Sequence, residues 1–246
     1  MLENLLLADI ENYERPSIVV IDSQQKLIAK LSRLAAVHRR ELVIIDPKDA
    51  PALNVFDLNT TRIGTYDATA REQVLNHSLE TFGYLFDALL GADLTVKQGT
   101  LFNYIIMLML AMPAGMGRTA TLHDLIELME HPEQYAGAMD VLEPMAKQFF
   151  RTDFMQKQYG QTKEQIRYRL HAILGNPTLA RLFLAPRNTI DFFDELAGGS
   201  IILIDTDKHH LGAKNSSYLG RIAITLILQG ILERGATRGH HHPVHI

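Results

Sequence analysis

The sequence contains no cysteine. That excludes disulfides, thiolate nucleophiles and thiolate zinc sites. It also contains no G-x-x-x-x-G-K-[ST] phosphate loop and no G-x-S-x-G nucleophile elbow. There is no basic excess. The formal net charge is −4, so no global field draws in nucleic acid, although a local basic groove can sit on an acidic protein. The greasiest run, residues 104–112 (YIIMLMLAM), is shorter than the roughly 20 residues a bilayer span needs and reads as a buried core helix. The start, MLENLLLADIENYERP, lacks a basic n-region and carries Glu3, Asp9 and Glu11. It reads as an amphipathic or buried helix and not as a signal peptide. The expected compartment is the cytoplasm.

Three short runs stand out against these absences. Residues 17–22 (SIVVID), 41–48 (ELVIIDPK) and 200–207 (SIILIDTD) are apolar, rich in β-branched side chains and marked by Asp at or near their ends. Such runs suit parallel strands buried on both faces, with polar residues emerging at the carboxyl ends where α/β proteins hold ligands. Between the first two lies residues 24–38, with Leu27, Ile28, Leu31 and Leu34 on one stripe. This predicts a βαβ unit. Residues 68–185 read as helices throughout: 68–90 broken at Gly83, 99–112 stopped by Pro113, 121–130 with Thr121 as N-cap and Asp124 completing a near capping box, 132–150, and 163–174. Asn176-Pro177 marks a break with a short helix after it. Residues 186–246 return to α/β: a short helix closed by Gly198-Gly199, the third strand, a polar loop over 208–216, a long helix over 217–234, and a final run, PVHI, that reads as a strand. The expected organisation is an incomplete α/β core from residues 1–67 and 186–246, with residues 68–185 as an all-α insertion.

The patterns SIVVIDSQQKLIAKL and RRELVIIDPKDAPALNVFDLN resemble the region after the phosphate loop in the HerA/FtsK superfamily of P-loop ATPases. The conjugative coupling proteins of the TraD/TraG type and the type IV secretion ATPases are the nearest in kind. Asp46, Pro47, Asp49, Asn54, Phe56, Asp57 and Leu58 match a D-P-x-D…N-x-F-D-L loop of that family. The pattern RNTIDFFDELAGGSIILIDTDKHHLGAKNSSYLGRIAITLIL resembles the stretch before its Walker B strand. The resemblance implies a mostly parallel RecA-like sheet, ATP and Mg²⁺ in the intact family, a hexameric ring, DNA as partner and an association with membrane secretion machinery at the inner membrane face. It also implies that the Walker A residues precede Met1 and that the Walker B acids follow Ile246. On this reading the chain alone does not hydrolyse ATP and holds no cofactor tightly. The missing phosphate-loop and Walker B strands are expected to leave a slot in the sheet, with unpaired backbone groups. The alternatives are a non-catalytic interaction protein derived from that fold and an unrelated Rossmann-like protein. The latter lacks G-x-G-x-x-G after its first strand, where Asp22-Ser23-Gln24-Gln25 stands.

The residues that could carry chemistry are few. Asp22, Asp46, Asp205 and Asp207 stand at strand ends, either as a polar wall near a nucleotide or as caps of the turns that follow. Lys163, Arg167 and Arg169, with Arg181, surround Tyr168 and His171. They form either a DNA-facing surface or an ordinary charged helix face with Glu164 interleaved. Arg15, Arg39, Arg40, Arg221, Arg234 and Arg238 offer no selected arginine finger. His209, His210, His240, His241, His242 and His245 do not have the spacing of a structural zinc site, and no metal is assigned. No catalytic residue is assigned.

Overall fold

A computed structural model describes residues 2–37, 39–90, 95–237 and 241–246. In chain order its elements are α1 (Leu2–Glu11), β1 (Ser17–Asp22), α2 (Ile28–Val37), β2 (Leu42–Ile45), α3 (Thr60–Gly64), α4 (Ala68–Leu90), α5 (Val96–Met116), α6 (Leu122–Glu130), α7 (Ala136–Asp140), α8 (Pro144–Gln148), α9 (Gly160–Leu174), α10 (Pro177–Phe183), α11 (Phe192–Gly198), β3 (Ile201–Asp205), α12 (Lys208–Leu211), α13 (Ala213–Ala236) and β4 (Val244–His245). The chain is α/β and divides into two compact units, one of residues Met1–Pro51 with Thr189–Ile246, the other of Ala52–Asn188.

The first unit holds the sheet. All of its strands are parallel, in the order β2-β3-β1-β4. β1 pairs with β3 from Ile18 opposite Ile201 to Asp22 opposite Asp205, and β2 pairs with β3 from Leu42 opposite Ile201 to Ile45 opposite Ile204. β3 is buried along its whole length, as its uninterrupted apolar run requires. Alternate residues serve opposite faces. Ile18, Ile201 and Leu203 pack with Leu6 and Ile10 of α1 and Leu31 of α2, and Leu27, Ile28 and Leu34 join the edge of that cluster. Elsewhere in the unit α11 is tied to β1 by Ser17 Oγ, which donates to Leu196 O at 2.7 Å. α13 packs against α11 so closely that a Cβ on Gly230 would lie 3.1 Å from the Phe192 and Phe193 backbone.

The expected slot is absent among the described strands. β1 and β3 bond directly, so their backbone groups are satisfied, and the open edges fall outside β2 and β4. Local boundaries also differ from the sequence reading. β2 ends at Ile45 because Asp46 caps a 3₁₀ turn at Pro47–Asp49. α2 begins at Ile28, since Gln25 takes a left-handed φ of 61°, and the expected end at His38 lies outside the described residues. Residues 208–211 form the short helix α12, where a loop is expected from their polarity.

Arg40 stitches this unit together beneath the strands. It is buried, and its guanidinium donates to Ile10 O (3.2 Å), Asp9 O (3.4 Å), Gly199 O (2.8 Å) and Pro16 O. Burial, with Arg15 nearby, pulls its pKa below the usual arginine value.

The second unit is helical. Its boundary falls at residue 52 and not at 68, because the NVFDLN loop bonds to helical neighbours. Leu53 N donates to Leu182 O at 2.7 Å, Asn54 Nδ2 to Ala120 O at 2.8 Å, and Asn188 N to Asp57 Oδ2 at 2.6 Å. α4 runs straight through Gly83. α5 runs through Pro113 and ends only where Gly117 turns left-handed (φ 67°). By length and composition α5 could cross a bilayer, but Leu101, Phe102, Ile105, Ile106, Leu108, Met109 and Met112 are buried in the unit. That burial offsets the one hydrogen bond Pro113 removes. α5 meets α7 backbone to backbone: a Cβ on Gly115 would lie 2.3 Å from Gly137 O.

Asp124 is the polar centre of the unit. Its carboxylate accepts from Arg118 (2.6 and 3.1 Å), Thr121 N (2.8 Å), Thr121 Oγ1 (3.0 Å) and Tyr135 Oη (3.0 Å). Burial would raise its pKa, but these donors, Arg118 first, outweigh burial and hold it below the usual carboxylate range. Burial and the Asp124 carboxylate push the Tyr135 phenol upward. A carboxyl with a depressed folded pKa contributes stability that is fully present above its unfolded pKa, near 3.9, and is lost as pH falls through the folded value. Asp124→Asn is therefore expected to lower stability at pH 7 by roughly 1–3 kcal/mol. The deficit should shrink in urea melts below about pH 3, and an unchanged deficit there would contradict the assignment.

Candidate functional site

Parallel strands deliver their carboxyl ends to one edge, and three of the four expected carboxylates meet there. Asp22 and Asp205 are register partners on neighbouring strands, and Asp207 follows two residues on. All three are buried. The chain segments leaving β1 and β3 run together: Thr206 N donates to Asp22 O at 3.0 Å and Lys208 N to Ser23 O at 3.3 Å. Asp46 leaves β2, on the far side of β3 from Asp22 in the strand order.

Each carboxylate accepts from backbone donors. Asp22 takes Gln24 N on Oδ1 and Leu27 N on Oδ2, both at 2.8 Å, and so turns the chain into α2. Asp205 Oδ1 takes Asp207 N at 2.8 Å, and its Oδ2 receives Gln25 Nε2. Asp207 Oδ1 takes His209 N at 2.8 Å and caps α12, while Asp46 Oδ1 takes Lys48 N at 2.9 Å. Capping explains each of the four positions by local chemistry. Ser216 Oγ, buried at the start of α13, closes the edge by donating to Thr206 O. Gln25 and Ser216 were missed by sequence reasoning, because a glutamine in a polar turn and a serine in a polar loop carry no local signal of burial or of a distant partner.

The carboxylates of this edge are engaged by N–H donors of the chain itself. Both oxygens of Asp22 and of Asp205 already accept N–H donors, and the chain supplies no phosphate-cradling loop. Among the described residues no three His, Asp or Glu converge in a metal-holding group. The histidines have separate partners. His242 Nδ1 is 2.8 Å from Glu14 O, His241 Nε2 is 3.3 Å from Thr237 Oγ1, and His245 pairs with Asp9 at 3.0 Å. His209 and His210 are exposed. His240 and Arg238 lie outside the described residues. Arg234 is buried, donating to His242 O at 2.7 Å.

The basic stretch lies in the other unit, on α9. Arg167 is paired with Glu130, which raises its pKa, and its guanidinium stands 5.5 Å from the Tyr168 ring. Lys163, one turn before Arg167, sits over the Phe154 ring at 3.5 Å. Arg169, Tyr168 and His171 are exposed. The three expected cations therefore do not form one free basic face: one is paired with an acid and one lies on an aromatic ring.

Comparison with known proteins adds no relative: no protein-family model matches the chain and no curated protein matches it.

Proposed function

We propose that this chain is a segment of an ATP-driven DNA-translocating motor of the conjugative-transfer and type IV secretion kind, lying between the phosphate-loop helix and the strand that carries the metal-holding acids. The observation that carries the reading is the sheet. The three Asp-bearing runs whose sequence resembles that family lie side by side and parallel, with Asp22 beside Asp205 at the carboxyl edge. Two further features support it. An all-helical unit is inserted between β2 and β3. β4 is short and pairs only with β1 among the described residues, which leaves an edge able to accept a further strand. In the proposed intact protein, hydrolysis between subunits of a ring drives DNA along a central channel, and secretion partners hold the ring at the inner membrane face. The residues of this chain then form the wall beside the nucleotide and not its cradle.

The test is the coding sequence on either side. A G-x-G-K-[ST] pattern shortly upstream and an Asp-Glu pair shortly downstream are expected. Their absence in every frame overturns the reading. Purified alone, the chain is expected to show no saturable ATP turnover. The second reading, a non-catalytic interaction protein derived from the same fold, is favoured by the capping role of all four carboxylates. Stop codons on both sides would select it.

A further inference from the structure

The strands of the sheet are parallel, so their amino ends share one edge, opposite the aspartates. That edge gathers cations. Arg15 stands just before β1, Arg39 and Arg40 before β2, Gly199 before β3 and His242 before β4. They meet around Gly199. Its carbonyl accepts from Arg40 Nη2 at 2.8 Å. Its left-handed φ of 72° leaves no room for a side chain, since a Cβ there would lie 2.7 Å from Arg15 O and 3.7 Å from the His242 ring. Arg15 Nη2 lies 3.4 Å from Arg39 O, and Arg234 donates from the end of α13 to His242 O at 2.7 Å. Arg15 and Arg39 themselves hold left-handed backbone, with φ of 48° and 51°. Residues with side chains rarely adopt that region, and such positions gather at functional sites.

The charge of this edge is not balanced. Among the described residues none of Arg15, Arg39, Arg40 and Arg234 forms an ion pair with a carboxylate. The acids of the neighbourhood are engaged elsewhere or face solvent. Asp9 pairs with His245 at 3.0 Å, Glu195 accepts from Ser200 Oγ at 2.7 Å, Glu11 and Glu233 have other partners, and Glu14 and Glu41 are exposed. Arg40 and Arg234 are buried, and the Nε of each is a buried donor without an acceptor. Backbone carbonyls take their other bonds but carry no net charge, and the end of α1 adds only a partial negative one. A buried charge is normally matched by an opposite one, and an orphaned buried donor requires a cause. Burial lowers the pKa of both arginines, and the nearby Arg15 lowers that of Arg40 further.

We propose that this edge is an oxyanion site that takes a phosphate group. Arg15 and Arg39 are exposed, and His242 Nδ1 faces Glu14 O at 2.8 Å while its Nε2 has no partner among the described residues. These side chains hold the ligand, and Arg40 and Arg234 add positive field from below without touching it. The donors come from three chain segments. A tetrahedral anion offers oxygens in several directions to such a set, where a planar carboxylate offers two, and guanidinium forks match paired phosphate oxygens. The same oxygens are presented by free phosphate and by the backbone of a nucleic acid. The site lies on the opposite edge from the aspartates and does not depend on the motor reading.

The test is isothermal titration calorimetry of the full chain with inorganic phosphate and with a short oligothymidylate, each against chloride at equal ionic strength. Saturable binding of phosphate supports a free anion as ligand, and saturable binding of the oligonucleotide alone supports a nucleic-acid backbone. In either case the double variant Arg15→Gln, Arg39→Gln is expected to bind roughly fivefold more weakly or worse. Its melting temperature in chloride should equal or exceed the parent's. The one bond Arg15 loses is the long contact to Arg39 O, and its repulsion with Arg40 goes too. No heat beyond the chloride control with either titrant overturns the proposal, as does binding that the double variant keeps. A double variant that melts clearly lower in chloride also overturns it, since these arginines would then serve the fold.

Discussion

Replacing Gly115 with alanine is expected to destabilise the helical unit by about 3 kcal/mol or more, although alanine is the better helix former. The added Cβ would lie 2.3 Å from Gly137 O and 2.6 Å from Ala138 Cα, and both atoms belong to backbone. A flexible side chain could move aside, but helix backbone cannot yield by a full ångström without separating α5 from α7. The helix-propensity gain is at most about 1 kcal/mol, so the clash decides the sign. Gly83 is the matched control. It also lies inside a helix, but nothing stands within 4 Å of the Cβ it would gain. Gly83→Ala should therefore raise stability by roughly 0.5–1 kcal/mol. Urea denaturation of both variants checks the pair. A Gly115→Ala protein as stable as the parent would mean that α5 and α7 do not touch at this point.

Arg40→Met is expected to lower the stability of the sheet unit by roughly 2–4 kcal/mol. Methionine fills similar apolar volume but gives no donors, so Pro16 O and Gly199 O are left buried without their partner, and the end of α1 loses the donor to Asp9 O and Ile10 O. The loss of an awkwardly buried charge works the other way and limits the effect. Arg40→Lys should fall between, because an ammonium cannot reproduce the planar fork that reaches four carbonyls on three chain segments. Denaturation midpoints measure the order, and hydrogen exchange localises it. Faster exchange is expected first at Ser17 and Ile18, whose amides bond to Pro243 O and Ser200 O. If methionine matches arginine in both measurements, the guanidinium is not holding these segments together.

The strands were legible because a buried parallel strand must be apolar on both faces, and SIVVID and SIILID have no other economical use. The cap at Thr121 with Asp124 was legible for the same kind of reason, since the pattern and its hydrogen bonds are local. What escaped was non-local. Pro113 reads as a helix stop until the buried Leu108, Met109 and Met112 are seen to hold the turn. Arg39 and Arg40 look alike in sequence, yet one is exposed and the other is buried under four carbonyls. Nothing local marks Gly115 and Gly137 as neighbours. At the carboxyl edge, the four aspartates and their capping role were legible, because each accepts from a backbone N–H within a few residues; the bond from Gln25 to Asp205, across 180 positions, was not. On α9 the sequence left a DNA-facing surface and an ordinary charged helix face both open, and it could not show that Glu130, far from α9 in sequence, pairs with Arg167, or that Phe154 receives Lys163.

The pairing of β1 with β3 also fixes a timetable. Ser17 and Leu196 are bonded across 179 positions of sequence, so the first strand leaves the ribosome long before its neighbour exists. At ordinary synthesis speeds the delay is on the order of 10–40 seconds, during which an apolar ribbon with two unpaired edges waits in solution. The helical unit is made within that interval from mostly local contacts, and its collapse draws the two ends of the open loop toward each other. Biogenesis of the sheet thus depends on prompt folding of helices that contribute no strand to it, and a defect there would appear first as nascent chains lost to aggregation.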